Sequence, residues 1–148
     1  MMVGSAWLIE TAMKPKAPML VMRTIHNTGM ESRELMAVHA FAHGFATTEH
    51  FDLLTYMMNI MLLAGSTSKK RKHAEKYAEK RVKPVITSIR DRYIKTGKLG
   101  VAGIELEVLR EFIEFNKQFW LRQPSELFAT ACAEVDAFFK ECSEKRAA

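Results

Sequence analysis

The chain has 148 residues, 48% of them hydrophobic and 26% charged, which is typical of a globular protein able to bury a core without disulfides. Its two cysteines, Cys132 and Cys142, lie too far apart on one predicted helix to pair, and two free thiols favour a reducing cytoplasm. The most apolar run, residues 53–64, is well short of the roughly twenty residues that span a membrane, so we expect no membrane segment.

Residues 1–29 have the weakest pattern in the chain. Pro15 and Pro18, with lysines among apolar residues, predict an extended or loosely structured arm. This stretch also lacks the basic start and apolar centre of a signal peptide. We therefore divide the chain into an N-terminal arm of residues 1–29 and a helical domain of residues 30–148.

Two helices are predicted over residues 30–46 and 48–64. Thr28 and Glu31 form a capping-box pattern that opens the first helix, and Gly65 is expected to end the second. The second helix is apolar almost all round, with its polar residues confined to a narrow strip. Such a helix is typical of the centre of a bundle or of a subunit interface.

The positive charge is concentrated in residues 66–98, which predict one long amphipathic helix. Residues 69–83 hold eight lysines and arginines against two glutamates, a net charge of +6, although the whole chain carries only +5. Pro84 lies inside this helix. Because proline lacks an amide hydrogen and its ring collides with the carbonyl four residues back, we expect a kink near residues 80–84 or two collinear helices.

Two further helices are predicted over residues 103–122 and 125–145. More than half of the circumference of the first is apolar, and Asn116 inside that arc predicts a buried hydrogen-bond partner. Together the patterns predict an all-α fold, a single-domain bundle or irregular array of about five helices. The surplus apolar surface favours a homo-oligomer or, alternatively, a larger core.

One side of the basic segment is the main candidate site. Helical projection separates its apolar side chains from a row of cations. We call this row the predicted basic face, and it consists of Lys69, Lys72, Lys76, Lys80, Lys83 and Arg90. Such a row can neutralise the phosphates of a nucleic-acid backbone or meet an acidic protein surface. The alternative is a solvated helix surface in which Glu75 and Glu79 pair with the lysines.

His39 and His43 lie one turn apart on the first predicted helix, a spacing that can hold a metal ion, and His50 follows soon after. The glutamate that follows the first histidine in a metalloprotease helix is replaced by Ala40. No later residue completes a ligand set, so we predict no metal site.

Arg33 and His39 have an R-x5-H spacing that resembles the short motif of HEPN-type ribonucleases. The resemblance implies an all-helical, often dimeric protein in which an arginine and a histidine from paired helices surround the scissile phosphate. Glu34 follows the arginine, where that family more often has a polar amide, aspartate or histidine. A ribonuclease that uses Arg33 and His39 is therefore one alternative function.

No Gly-rich phosphate loop and no inward-facing pair of carboxylates is evident in the sequence. We therefore predict a non-enzymatic, cytoplasmic and homo-oligomeric binding protein without catalytic residues or cofactors. Its expected partner is nucleic acid or an acidic protein surface. The alternative from another class is an adaptor or inhibitor that occludes a larger complex through apolar helix faces.

Overall fold

The computed structural model describes the backbone of residues 30–147 and the side chains of residues 32–145. This part of the chain consists of α1 Met30–Ala42, α2 Thr48–Ser66, a 3₁₀ turn Lys69–Arg71, α3 Lys72–Tyr77, a π turn Ala78–Val82, α4 Lys83–Thr96, α5 Gly103–Leu121 and α6 Ser125–Ala147. Residues 30–147 contain no strand, so the predicted all-α fold is confirmed. None of these helices is long and apolar enough to cross a membrane. The predicted arm, residues 1–29, lies outside the described residues.

The first helix is shorter than predicted, because a glycine follows it. It ends at Ala42, and Gly44 adopts a left-handed φ of 78°. The amide of Phe45 donates to the carbonyl of Ala40 at 3.0 Å, and that of Gly44 donates to Phe41 at 3.4 Å. This pair of hydrogen bonds forms a Schellman motif, which favours glycine because a Cβ would oppose the positive φ.

α2 is the central helix of the fold. It packs against α1, the helical segment of residues 69–96 and α6. Every residue from 54 to 65 is buried. The apolar surface of α2 that suggested a homo-oligomer is thus covered within one chain, which corresponds to the alternative of a larger core.

Gly65 is the second-to-last residue of α2, so the predicted end at residue 64 is two residues short. α2 continues to Ser66, because the glycine serves helix packing rather than termination. A Cβ added to Gly65 would lie 2.5 Å from the amide nitrogen of Glu75 and 2.9 Å from its Cα. The backbones of α2 and α3 therefore touch directly, and the small residues Ala74 and Ala78 are buried on the same segment.

Residues Lys69 to Thr96 follow one another without a gap in the helical backbone, and we call this segment the basic helix. A kink or two collinear helices were expected near residues 80–84, and the structure has a π turn there. In it the Lys83 amide donates to the carbonyl of Ala78, five residues back. One extra residue in that turn accommodates the proline, which lacks an amide hydrogen and would otherwise collide with the carbonyl of Lys80.

Buried hydrogen bonds tie the helices together. The side-chain amide of Asn116 donates to Glu34 Oε1 at 2.7 Å, and its Oδ1 accepts from Trp120 Nε1 at 3.0 Å, which gives Asn116 the buried partner that was predicted. The hydroxyl of Tyr56 donates to Asp136 Oδ1 at 2.6 Å. Burial and this hydrogen bond raise the pKa of Tyr56, so the hydroxyl keeps its proton. These contacts join α1 to α5 and α2 to α6.

Candidate functional site

Five lysines of the basic helix are exposed within twelve residues. We call this set the lysine face, and it consists of Lys69, Lys70, Lys72, Lys76 and Lys80. The opposite side of the helix is fully buried, with an exposure of 0% at Ala74, Ala78, Val82, Ile86 and Ile89. Because the fold holds the helix by its apolar side, the lysines are presented to solvent on a firmly packed support.

The π turn brings Lys80 closer to the line of Lys76, whereas Lys72 and Lys76 both precede the turn. Lys72, Lys76 and Lys80 are four residues apart, and in a regular α-helix each such step turns the side chain by about 40° around the axis. An extra residue in the π turn reduces this drift. The buried side has the same four-residue steps, at Ala74, Ala78, Val82 and Ile86. This repeated spacing is the signal from which the π turn could have been predicted.

Two residues of the predicted basic face are less accessible than the rest. The Lys83 side chain is 23% exposed, and its Nζ lies 3.5 Å from Glu79 Oε1. Arg90 is 28% exposed, and its Nη2 lies 3.5 Å from Asp91 Oδ1. Lys70, which the helical projection left out, is exposed instead. Lys69, Lys72, Lys76 and Lys80 are exposed, as the sequence predicted. Lys72 Nζ also lies 3.2 Å from Glu75 Oε1, a pairing that the alternative of a solvated helix surface expects, and its side chain is 60% exposed.

Arginines of the basic helix bind to the rest of the fold. Arg71 Nε donates to Gln123 Oε1 at 2.9 Å, just after α5. Arg81 Nε donates to Glu111 Oε2 at 2.9 Å, and the Tyr77 hydroxyl donates to the same oxygen at 2.9 Å. The hydrogen bond from Arg81 is the main cause that lowers the pKa of Glu111. Arginine suits this role because its planar guanidinium matches a carboxylate.

Arg92 closes the connection between α4 and α5. Its Nη1 and Nη2 each donate to one oxygen of Glu105 at 3.0 Å, and Nη1 also donates to the Gly100 carbonyl at 2.9 Å. Glu105 accepts from the Ala102 amide at 2.8 Å as well. Burial alone would raise the pKa of Glu105, but the hydrogen bonds from Arg92, Ala102 and Ser88 outweigh burial and lower it. The carboxylate therefore stays ionised at neutral pH.

Aromatic rings beside the lysine face pack on one another. The ring centroids of Tyr77 and Phe115 lie 3.8 Å apart with an interplanar angle of 13°, so each ring covers one face of the other. The ring of His73 lies 6.2 Å from that of Phe115 and 6.4 Å from that of Phe119. These rings fill the contact between the basic helix and α5.

His39 on α1 and His43, which directly follows this helix, form a ring cluster. The centroids of His39 and His43 are 4.1 Å apart, and Phe45 lies 5.8 Å from His39. His50 instead caps α2, since its Nδ1 accepts from the Thr47 amide at 2.9 Å. Across the described residues, no group of three or more His, Cys, Asp and Glu side chains is placed to hold a metal ion.

Arg33 and His39, the two residues of the ribonuclease resemblance, are both exposed on α1. Glu34 lies between them in the sequence but is buried, and it accepts a hydrogen bond from Asn116. The structure therefore gives Glu34 a packing role and leaves the arginine and histidine at the surface.

Comparison with protein-family models, with curated proteins and with solved structures found no match to this chain.

Proposed function

We propose that this chain is a non-enzymatic binding protein that contacts the phosphate backbone of a nucleic acid through the lysine face. The observation that carries the proposal is the exposure of five lysines within twelve residues of a helix whose packed side is fully buried. Ammonium groups arranged in this way displace counterions from phosphates and so supply affinity without reading the sequence.

The support beneath the lysines favours binding. The direct backbone contact at Gly65 and the bonds of Arg81 and Arg92 to α5 hold the basic helix in place before any partner arrives. Only the lysine side chains then lose freedom on association, which keeps the entropy cost of binding low.

The distribution of charge would also orient the protein. Residues 125–145 of α6 hold five acidic residues against two lysines, a net charge of −3, whereas residues 69–83 carry +6. A polyanion therefore attracts the basic helix and repels α6.

Charge reversal tests the proposal. The variant Lys72→Glu, Lys76→Glu, Lys80→Glu is compared with a matched control, Lys98→Glu, Lys140→Glu, Lys145→Glu, which changes the net charge equally at exposed lysines outside the lysine face. Each lost phosphate contact removes roughly a factor of ten in affinity at about 0.1 M salt, so we expect the first variant to bind labelled nucleic acid at least about 100-fold more weakly. We expect the control to lose only a few-fold.

Circular dichroism checks that both variants keep their helices. Equal losses in the two variants would show that net charge alone governs binding, and unchanged binding in the first would contradict the proposal. If the wild-type chain binds polyglutamate but no nucleic acid, the lysine face recognises an acidic protein surface instead.

A second candidate function, an adaptor that works through an apolar helix face, is favoured by one observation. Leu35 and Met36 on α1 are 52% and 65% exposed. A protein partner bound there would be retained after nuclease treatment and after reversal of the three lysines. Binding of this protein partner would be lost in the double variant Leu35→Asp, Met36→Asp.

A further inference from the structure

We infer that the nucleic acid contacted by the lysine face is a duplex, bound at its phosphates and not read for sequence. This inference rests on the proposed function and names the class of nucleic acid that the site accepts. It follows from the rings, the arginines and the spacing of the lysines.

The aromatic rings near the lysine face, on which unpaired bases could stack, pack against other rings or against the core. Proteins that bind single strands combine a basic surface with aromatic platforms, because stacking holds the flexible strand. Here Tyr77 lies against Phe115 at 3.8 Å, and Tyr93 is half-buried and packed against the core. His73 is the exposed ring nearest the lysines, and it leans on Phe115 and Phe119.

Apart from lysine, the side chains that read base edges are also committed or missing. Direct readout relies on arginine or lysine at guanine and on asparagine or glutamine at adenine, and lysine is a point charge without the planar fork of arginine. Arg71, Arg81 and Arg92 are hydrogen-bonded to Gln123, Glu111 and Glu105. The basic helix contains no asparagine or glutamine between residues 69 and 96. Lysines that contact phosphates therefore supply affinity without sequence preference.

The spacing of the lysines suits a rigid polyanion. Residues 69–80 cover roughly 16 Å of helix at 1.5 Å per residue. Over that length a duplex presents about ten phosphates, one per 1.7 Å of its axis, so each lysine meets a phosphate in many registers. A flexible single strand would have to be ordered along the row, and nothing in the lysine face offsets the entropy lost in doing so.

Fluorescence anisotropy with the full chain tests the inference. The probes are one labelled oligonucleotide as a single strand, the same sequence as a DNA duplex and as an RNA duplex, and a second duplex of unrelated sequence. At about 0.1 M salt we expect at least one duplex form to bind about tenfold or more tightly than the single strand. We expect the two sequences to differ by less than about threefold.

Single-strand binding as tight as duplex binding overturns the inference and leaves the proposed function standing. A tenfold preference for one duplex sequence overturns the claim that sequence is not read. Absence of binding to every oligonucleotide overturns the proposed function as well.

Two single variants provide a second readout. His73→Ala removes the exposed ring beside the lysines, and Lys76→Gln removes one phosphate contact. We expect Lys76→Gln to weaken duplex binding several-fold and His73→Ala to leave it unchanged. A loss with His73→Ala as large as that with Lys76→Gln would mean that a base stacks on His73, which contradicts the inference.

Discussion

Lysine and arginine have different roles along the basic helix. Arg71, Arg81 and Arg92 donate to defined oxygens on or beside α5, where a planar guanidinium gains from fixed geometry. The five lysines of the lysine face stay in solvent, where a point charge on a flexible stem can follow a phosphate. Arg71, Arg81 and Arg92 thus fasten the helix to the fold, and the five lysines are exposed to solvent.

Gly65 is the residue on which the placement of the basic helix depends most directly. We predict that Gly65→Ala lowers the free energy of unfolding by about 1–3 kcal/mol, because its Cβ would lie 2.5 Å from the Glu75 amide nitrogen, a backbone atom that no rotamer change can move away. This loss exceeds the helix-propensity gain of about 1 kcal/mol that alanine has over glycine. Urea denaturation measures the difference.

Gly103→Ala is the matched control, since a Cβ there meets no atom within 4 Å. We expect its stability to equal or slightly exceed that of the wild type. If Gly65→Ala were as stable as this control, the two backbones would not be in direct contact.

At the scale of elements, the helices could be predicted well because each carries a clear apolar periodicity. The predicted bounds of 103–122 and 125–145 differ from those of α5 and α6 by two residues at most. The first helix was predicted to run to about residue 46 and ends at Ala42, and the second ends one residue after Gly65. The sequence pattern placed a helix end at Gly65, because a local pattern does not reveal that this glycine contacts Glu75 on the next helix. Gly44, in contrast, ends α1 through local geometry that the sequence contains.

The Arg92–Glu105 pair joins α4 to α5 and makes stability depend on pH. Because the pKa of Glu105 is lower in the folded than in the unfolded chain, the stability it contributes is full above the ordinary glutamate pKa and is lost as pH falls through the folded value. We predict that Glu105→Gln is less stable at pH 7 by about 1 kcal/mol, a modest value because the Arg92 side chain is 38% exposed.

Thermal denaturation as a function of pH checks this prediction. Below about pH 4.5 the wild type should lose stability more steeply than Glu105→Gln, so the two curves converge in acid. Glu134→Gln, at an exposed position in the interior of α6, is the control and should follow the wild type. Parallel curves for the wild type and Glu105→Gln would show that the pair contributes nothing to the pH dependence.

At the scale of the whole molecule, the site could be predicted from sequence only in part. Local charge and helical periodicity predicted that Lys69, Lys72, Lys76 and Lys80 are exposed on the basic helix. The hydrogen-bond partners of Arg81 and Arg92 could not be predicted, because Glu111 and Glu105 lie on another helix. Lys70 was missed because helical projection places it about 100° from Lys69, away from the row, although it is exposed.

The molecule is also electrically polarised, with an excess of positive charge on the basic helix and of negative charge on α6. Attraction to the basic helix and repulsion from α6 limit the ways in which the chain can meet a polyanion. Its binding should therefore depend on a small, countable number of phosphate contacts, each made by a lysine of the lysine face.

The slope of log affinity against log salt concentration counts those contacts most directly. With about five lysines on a duplex we expect a slope of about −4.5, and the variant Lys72→Gln, Lys76→Gln, Lys80→Gln should reduce it to about −2. The control Lys98→Gln, Lys140→Gln, Lys145→Gln removes the same charge and should keep the wild-type slope. A slope near zero in the wild type, or the same slope in both variants, would contradict the account.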